Sequence, residues 1–423
     1  MTTQTLAQKL LAAASGRSSV QAGEILTCKV DLAMFHDSSG PRRLKPMLEA
    51  LGTGLWDRDK VVLVMDHYVP ESGEESRRIV RIAREWAREQ ALPHVYDSIG
   101  ICHVVVPEHG HIRPGMFCVG GDSHSPTGGA FGAYMFGVGS TEMLGVVASG
   151  EIWVQVPRTI AMQWNGRLQA GVTAKDMALA MIGRFGMNGG RYQAVEFCGE
   201  AVRALSMQER MTLSNMSAEL GSQAGLIAPD AVTLDYLHAA GVPGARGMDI
   251  SHWRTDEDAE VERHEFDAAA LAPQVAAPHS PANAAPVGDY PFTPIQAAYI
   301  GACTGAKLED LRAAAEVLRG RRIAAGVTLM VAPASAFDQR RAQEEGIMDA
   351  LAAAGAQVLP TSCGACSGYG GSIPEGVNVI STTARNFKGR MGAQTARVFL
   401  ASPYSVAAAA LTARITDPRE VLA

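Results

Sequence analysis

Short apolar runs that alternate with charged, helix-periodic stretches constrain this chain more than any other feature, because such alternation implies parallel or mixed sheets covered by helices. Residues 60–66, Lys-Val-Val-Leu-Val-Met-Asp, have the continuous apolar content of a buried strand. A charged amphipathic helix is expected after them, ending at Gln90, with Ser72 as its N-cap and Glu75 completing a capping box. Further strands are expected at 117–121, 158–164, 193–197, 297–300, 328–331 and 378–381. Helices are expected at 1–16, 173–185, 207–221, 308–318, 336–353 and 404–414. The one stretch with the composition of a linker is 268–294, dense in Ala and Pro. It divides an amino-terminal α/β region, 1–285 and expected as two subdomains, from a compact carboxy-terminal α/β domain, 286–423. No internal repeat is present.

At 423 residues the chain can bury a large core, and 47% apolar residues with only 6% aromatics suit tightly packed α/β layers. A net charge of −6 without a basic stretch argues against a nucleic-acid surface. No run of 18 apolar residues and no secretory leader is found, so a soluble, cytoplasmic protein is expected. Seven cysteines without a secreted-scaffold pattern point to a reducing compartment.

Three of those cysteines share the carboxy-terminal portion: Cys303 in Gly-Ala-Cys-Thr-Gly, then Cys363 and Cys366 as a Cys-x-x-Cys pair. Three thiolates can hold three irons of a four-iron, four-sulfur cube and leave the fourth iron without a protein ligand. The pair alone is equally compatible with a redox dithiol or half of a zinc site, although residues 363–388 offer no further Cys or His. Cys28, Cys102, Cys118 and Cys198 lie among apolar neighbours and read as ordinary buried thiols. Polar groups gather at expected strand ends: Asp66-His67, His103 and Asp122-Ser123-His124. The glycine-rich run 128–139 fits either a close-approach loop feeding a helix amino terminus or small-residue packing, and no dinucleotide fingerprint or nucleophile elbow is present. Asn215 and Glu219 are four apart on one expected helix face, where surface decoration is the plain alternative to a role in a site. Arg385 and Arg390 flank a turn after a strand, a setting in which guanidiniums clamp carboxylates.

Together these segments resemble the aconitase family of iron–sulfur hydro-lyases, in particular its 3-isopropylmalate dehydratase large-subunit branch. The resemblance runs essentially from end to end. It rests on His36-Asp37, Asp66-His67, Gly100-Ile-Cys-His103, Gly121-Asp-Ser-His124, Arg210-Met-Thr-Leu-Ser-Asn-Met, Ala277-Pro-His-Ser-Pro, Cys303-Thr, Cys363-Gly-x-Cys366, Arg385-Asn-Phe-x-Gly-Arg390-Met-Gly and Thr416-Asp-Pro-Arg. It implies three-layer α/β domains with mixed parallel sheets around a central cleft. It further implies a 4Fe–4S cluster on Cys303, Cys363 and Cys366, with one iron lacking a protein ligand and free to act as a Lewis acid. Asp66-His67, His103 with Asp122, and His124 with Glu219 resemble the family's catalytic carboxylate–histidine pairs, which set tautomer and deliver a proton to the departing hydroxide. Arg385, Arg390, His36 and Ser123 match substrate-binding positions, and Asn215 a cluster neighbour. The reaction implied is reversible dehydration of a small hydroxy di- or tricarboxylate, as in leucine biosynthesis.

The family's base is a serine in a Gly-Ser-Ser-Arg-like segment of a swivelling domain, and no such segment occurs here. A separate small subunit carrying that domain and serine is therefore expected, with this chain largely inactive alone. Where the family usually has Ser-Cys-Thr-Asn and Asn-Arg-Asn-Phe, this chain has Ala302-Cys303-Thr304-Gly305 and Ala384-Arg385-Asn386-Phe387. His36-Asp37-Ser-Ser-Gly-Pro41 also departs from the usual loop of leucine-pathway enzymes. These changes admit a paralogue acting on maleate, citraconate, 2,3-dimethylmalate or homoaconitate, or a non-catalytic cluster carrier or RNA-binding relative.

Overall fold

The computed structural model describes residues 3–369 and 373–422. It is a mixed α/β structure in which three larger sheets are built mainly from parallel strands. Strands Leu32–His36, Val61–Met65, His94–Asp97, Phe117–Gly120 and Tyr134–Gly137 form a five-stranded sheet whose pairings are all parallel. The two central strands, Leu32–His36 and Val61–Met65, are buried at every position, so helices or other elements cover both faces. A second, four-stranded parallel sheet uses Thr159–Asn165, Ala194–Cys198, Ala224–Leu226 and Glu262–Asp267. The third, seven-stranded sheet centres on Ala297–Ile300, Thr328–Val331, Asn378–Ser381 and Arg397–Ala401, mutually parallel where they pair. A separate antiparallel ribbon joins Ile25–Lys29 to Glu151–Gln155.

The strands expected at 297–300, 328–331 and 378–381 and the helix expected at 308–318 occur with those bounds. Other elements differ for local reasons. The helix after the first strand is Glu74–Glu89, and its N-cap is Gly73 rather than Ser72: the Gly73 N–H donates to Ser76 Oγ at 3.0 Å, so Ser76 takes the part expected of Glu75. The expected 336–353 helix is two, Ala336–Glu344 and Ile347–Ala354, because Gly346 adopts a left-handed conformation between them. The helix Met207–Met216 ends before Glu219, which lies in the turns that follow. The 268–294 stretch is not a plain linker. Its strands Gln274–Ala276 and Ala284–Pro286 pair antiparallel, and the first also pairs with Arg397–Ala401, so the seven-stranded sheet begins before the expected boundary at 286. Alanine and proline obscure strand periodicity, and an edge position tolerates proline. Among the described residues no helix is long and apolar enough to cross a membrane.

One ion pair between a buried arginine and a partly exposed aspartate fastens the helix that carries Asn215. Arg210, fully buried, donates from Nη1 and Nη2 to the two carboxylate oxygens of Asp230 at 2.7 Å each, and Asp230 also caps the helix Ala231–Ala239. Asp230→Ala strands the guanidinium and removes the cap, so a loss of about 3–5 kcal/mol is expected, read as a lowered urea midpoint.

Candidate active site

The carboxyl ends of strands from two sheets face one cavity of about 440 Å³. Leu32–His36 delivers His36, Val61–Met65 delivers Asp66 and His67, and Phe117–Gly120 delivers Asp122, Ser123 and His124. From the seven-stranded sheet, Ala297–Ile300 leads to Cys303, and Asn378–Ser381 leads to Arg385 and Arg390. This is the edge at which parallel α/β sheets commonly present ligand sites. His36, His67, His103, Asp122, Ser123, His124, Cys303, Cys363, Cys366, Arg385 and Arg390 all line the cavity. Asp66, Glu219 and Asn215 are buried behind that lining and bond to it. All the expected site residues are thus brought together, although Asn215 and Glu219 are interior groups and not surface decoration.

Three of the four cavity histidines, His67, His103 and His124, bond to a carboxylate. Asp66 Oδ1 lies 2.6 Å from His67 Nδ1, while Asp66 Oδ2 accepts from the Cys102 N–H at 2.7 Å. Burial alone would raise Asp66, but the His67 charge and bond outweigh it and bring the carboxyl to about 2; the reciprocal effect, against burial, lifts His67 to about 9. The imidazole of His67 also stacks on His36, ring centroids 3.8 Å apart. Asp37, fully buried beneath them, accepts from the N–H groups of Ser38, His67 and Tyr68 and so fixes the two strand ends relative to each other. Asp122 Oδ1 lies 2.7 Å from His103 Nε2 and accepts from the His124 N–H at 2.8 Å. Its carboxyl is held well below the usual range, because bonds and charge from the histidines overcome burial. Burial dominates at His103 and pushes it down, whereas Asp122 and Glu219 push His124 up against burial. The Asp122 turn needs glycine opposite it: a Cβ on Gly137 would sit 2.6 Å from the Asp122 carbonyl oxygen.

Glu219 Oε1 joins two parts of the cavity wall, lying 2.9 Å from His124 Nε2 and accepting from Arg385 Nε at 2.6 Å. Asn215 Nδ2 donates to Cys303 Sγ at 3.2 Å and to Thr127 Oγ1 at 2.8 Å. Four polar atoms here are buried without a protein partner: His36 Nε2, Ser39 Oγ, Asn215 Oδ1 and Arg390 Nε. Orphaned donors and acceptors at one cavity are the mark of a site that binds something polar.

The thiols discriminate among inorganic occupants. All seven cysteines are free. A tetrahedral zinc with sulfur ligands at about 2.3 Å would place those sulfurs about 3.8 Å apart. Among the described residues, ligand atoms lie within 4.8 Å of one another at His36, Asp37, Asp66 and His67 and at His103, Asp122 and His124, and the three thiols are not such a group. Three thiols on one cavity suit an inorganic cluster anchored at three corners. Burial first, then Cys366, push the Cys303 thiol up to about 12, with Lys307 only partly opposing. Loading must therefore displace protons.

The departures at the first cysteine have a structural counterpart. A Cβ on Gly305 would lie 2.2 Å from Thr382 Cβ, so a longer side chain has no room there. Thr382 uses that space: its Oγ1 donates to the Gly301 carbonyl at 2.8 Å and accepts from the Gly301 N–H at 2.9 Å. Ala302 holds φ at +69°, a left-handed conformation that aims the Cys303 turn. The sequence motifs did not include Arg43, Lys175 or Lys307, and Asp37 entered only within the His36-Asp37 motif. Arg43 follows Pro41 at the start of Pro41–Leu51, lines the cavity and has no hydrogen-bond or ion-pair partner among the described residues. Its signal was available as two adjacent arginines after the His36 segment. The two lysines carried no motif of their own.

Residues 8–293 and 288–413 match the model of the Aconitase family (aconitate hydratase). The chain is 42% identical over 422 residues to "3-isopropylmalate dehydratase large subunit 1" of Methanopyrus kandleri, covering 99% of this chain and 100% of that protein. It is 39% identical over 421 residues to the protein of the same name from Archaeoglobus fulgidus, covering 99% of both. A "Probable methanogen homoaconitase large subunit" of Methanothermobacter thermautotrophicus is also 39% identical, again over 99% of both chains.

Proposed function

The chain belongs to the aconitase family of hydro-lyases, and from that premise we propose that it is the large subunit of a cluster-dependent dehydratase, similar to 3-isopropylmalate dehydratase. The observation that carries the reading is one cavity lined at once by three thiols, histidines paired with carboxylates, and two arginines. Cys303, Cys363 and Cys366 would hold a 4Fe–4S cluster with one iron free of protein ligands. When bound, that cluster supplies a Lewis acid for the substrate hydroxyl. Arg385 and Arg390 bind substrate carboxylates, with His36 and Ser123 completing the pocket. Arg385 is preset by Glu219, while Arg390 keeps Nε free for a ligand. His67, His103 and His124, each oriented by its carboxylate, hold and move the proton that leaves with the hydroxide. A small subunit with a swivelling domain supplies the serine that removes the carbon-bound proton.

Anaerobic reconstitution followed by iron and sulfide counts tests the cluster; equal, four-iron-cube amounts are expected. Adding the small subunit and following alkene absorbance over a panel of hydroxy-diacids tests the reaction. Isopropylmalate turnover is expected, and absence of turnover of every acid by a fully loaded pair would overturn the reading. A second reading, a paralogue for a different acid, is favoured by Arg43, whose unpaired guanidinium suits one more carboxylate than an isopropyl substrate carries. On that reading Arg43→Ala raises KM for a tricarboxylate such as homoaconitate by about tenfold, the loss of roughly 1.4 kcal/mol of charged hydrogen bonding, and leaves isopropylmalate KM unchanged.

A further inference from the structure

We propose that Lys175 is the built-in counter-charge of the cluster site, a positioning residue that ties the Cys303 turn to the segment leading to Arg385 and balances the thiolates when the cluster is bound. The inference rests on the cluster reading above. Lys175 lies near the start of the helix Ala174–Phe185 and is 1% exposed. Its Nζ donates to the Thr382 carbonyl at 3.0 Å, the Thr383 carbonyl at 2.8 Å and Thr304 Oγ1 at 3.2 Å, with Met216 Sδ at 3.7 Å. One acceptor therefore belongs to the residue after Cys303, and two belong to the residues just before Ala384 and Arg385.

No carboxylate pairs with this ammonium among the described residues. Its neighbour Asp176 turns away, with Oδ2 accepting from the Thr173 N–H and Oδ1 from the Gln274 N–H. The other lysine of the site, Lys307, differs: it bonds to the Cys303 carbonyl at 3.0 Å but carries its own partner in Asp310 at 2.9 Å. Lys307 with Asp310 is close to neutral, so of these two lysines only Lys175 adds a net positive charge near the thiols. A buried cation without a partner is unfavourable, and burial pushes Lys175 down to about 8; the groups that push it back up are led by Cys303 and then Cys366. The cation is thus costly in the empty chain and favourable in the loaded one. Its contacts also suit the Gly305–Thr382 packing, because Thr382 offers Oγ1 to Gly301 and its carbonyl to Lys175 and Thr304.

The test uses the full chain with Lys175→Met, which removes charge and bonds, and Lys175→Gln, which removes the charge but keeps a shorter side-chain N–H donor. Outer-shell substitutions at metal sites change affinity by about 10- to 100-fold. Iron release to a chelator from the reconstituted cluster is expected to be faster by about that factor in both variants. The midpoint potential should fall in both, since a positive charge nearby stabilises the reduced cluster. Thermal melting of the cluster-free variants should equal or exceed that of the unaltered chain. Wild-type release rates in Lys175→Gln would show that the bonds, not the charge, matter and would overturn the proposal. So would cluster-free variants that melt several degrees lower or do not fold, because Lys175 would then be a structural group. Absence of iron from the unaltered reconstituted chain would instead count against the cluster reading itself.

Discussion

Cys303→Ala is expected to abolish cluster binding while leaving the fold intact. Cys363 and Cys366 share one loop, whereas Cys303 comes from the strand Ala297–Ile300 and is the only one of the three thiols bonded to Asn215. Removing it leaves two thiols on a single loop, too few to keep a cube that needs three anchored irons. Lewis-acid stabilisation contributes several kcal/mol and each 1.36 kcal/mol is tenfold, so activity with the small subunit should fall by roughly 10³-fold or more. Iron and sulfide should drop with it. The side chain is small and buried beside a cavity, so the melting curve of the cluster-free chain should move little. Cys198→Ala, a half-buried thiol that does not line the cavity, is the control and should keep both iron and activity. A Cys303→Ala chain that still reconstitutes a full cluster would remove Cys303 from the ligand set.

The parts of this site that could be read from sequence were those in which identity and chemistry coincide. A thiol, an Asp-His dipeptide or an arginine after a strand signals its role through residue type and place. Continuous apolar runs such as Val61–Met65 likewise located the buried strands, because both faces of a parallel sheet are covered. Groups whose role depends on a distant partner carried no local signal, and only the family resemblance paired Glu219 with His124. Glu219 reaches His124 across 95 positions and Arg385 across 166, so nothing local separates it from a surface glutamate. Lys175 is similar, with acceptors more than 120 residues away. The strands Gln274–Ala276 and Ala284–Pro286 were hidden because they are three residues long and owe their form to a neighbouring sheet rather than to their own composition. Gly305 showed the limit most clearly. In sequence it reads as a lost side chain, and in the fold it is the space that Thr382 occupies.

Asp122→Asn should separate proton handling from cluster binding. Asp122 Oδ1 meets His103 Nε2 at 2.7 Å and the His124 N–H at 2.8 Å, and Oδ2 lies 3.6 Å from His36 Nε2. One carboxylate therefore orients the His103 ring and places its charge 3.6 Å from ring nitrogens of His36 and His124. The amide keeps the shape but carries no charge, so it cannot stabilise a protonated imidazole and offers His103 an uncertain tautomer. Positioned acid–base groups contribute about 10²–10⁴-fold, and kcat should fall within that range while iron content and melting temperature hold. Glu219→Gln provides the contrast. Glu219 Oε1 serves Arg385 as well as His124, so its loss releases the guanidinium proposed to bind substrate and should raise KM together with a fall in kcat. If Asp122→Asn lowered kcat less than threefold in a fully loaded complex, the histidines around it would not be the proton carriers, and the His67–Asp66 pair on the other wall would be left to do that chemistry alone.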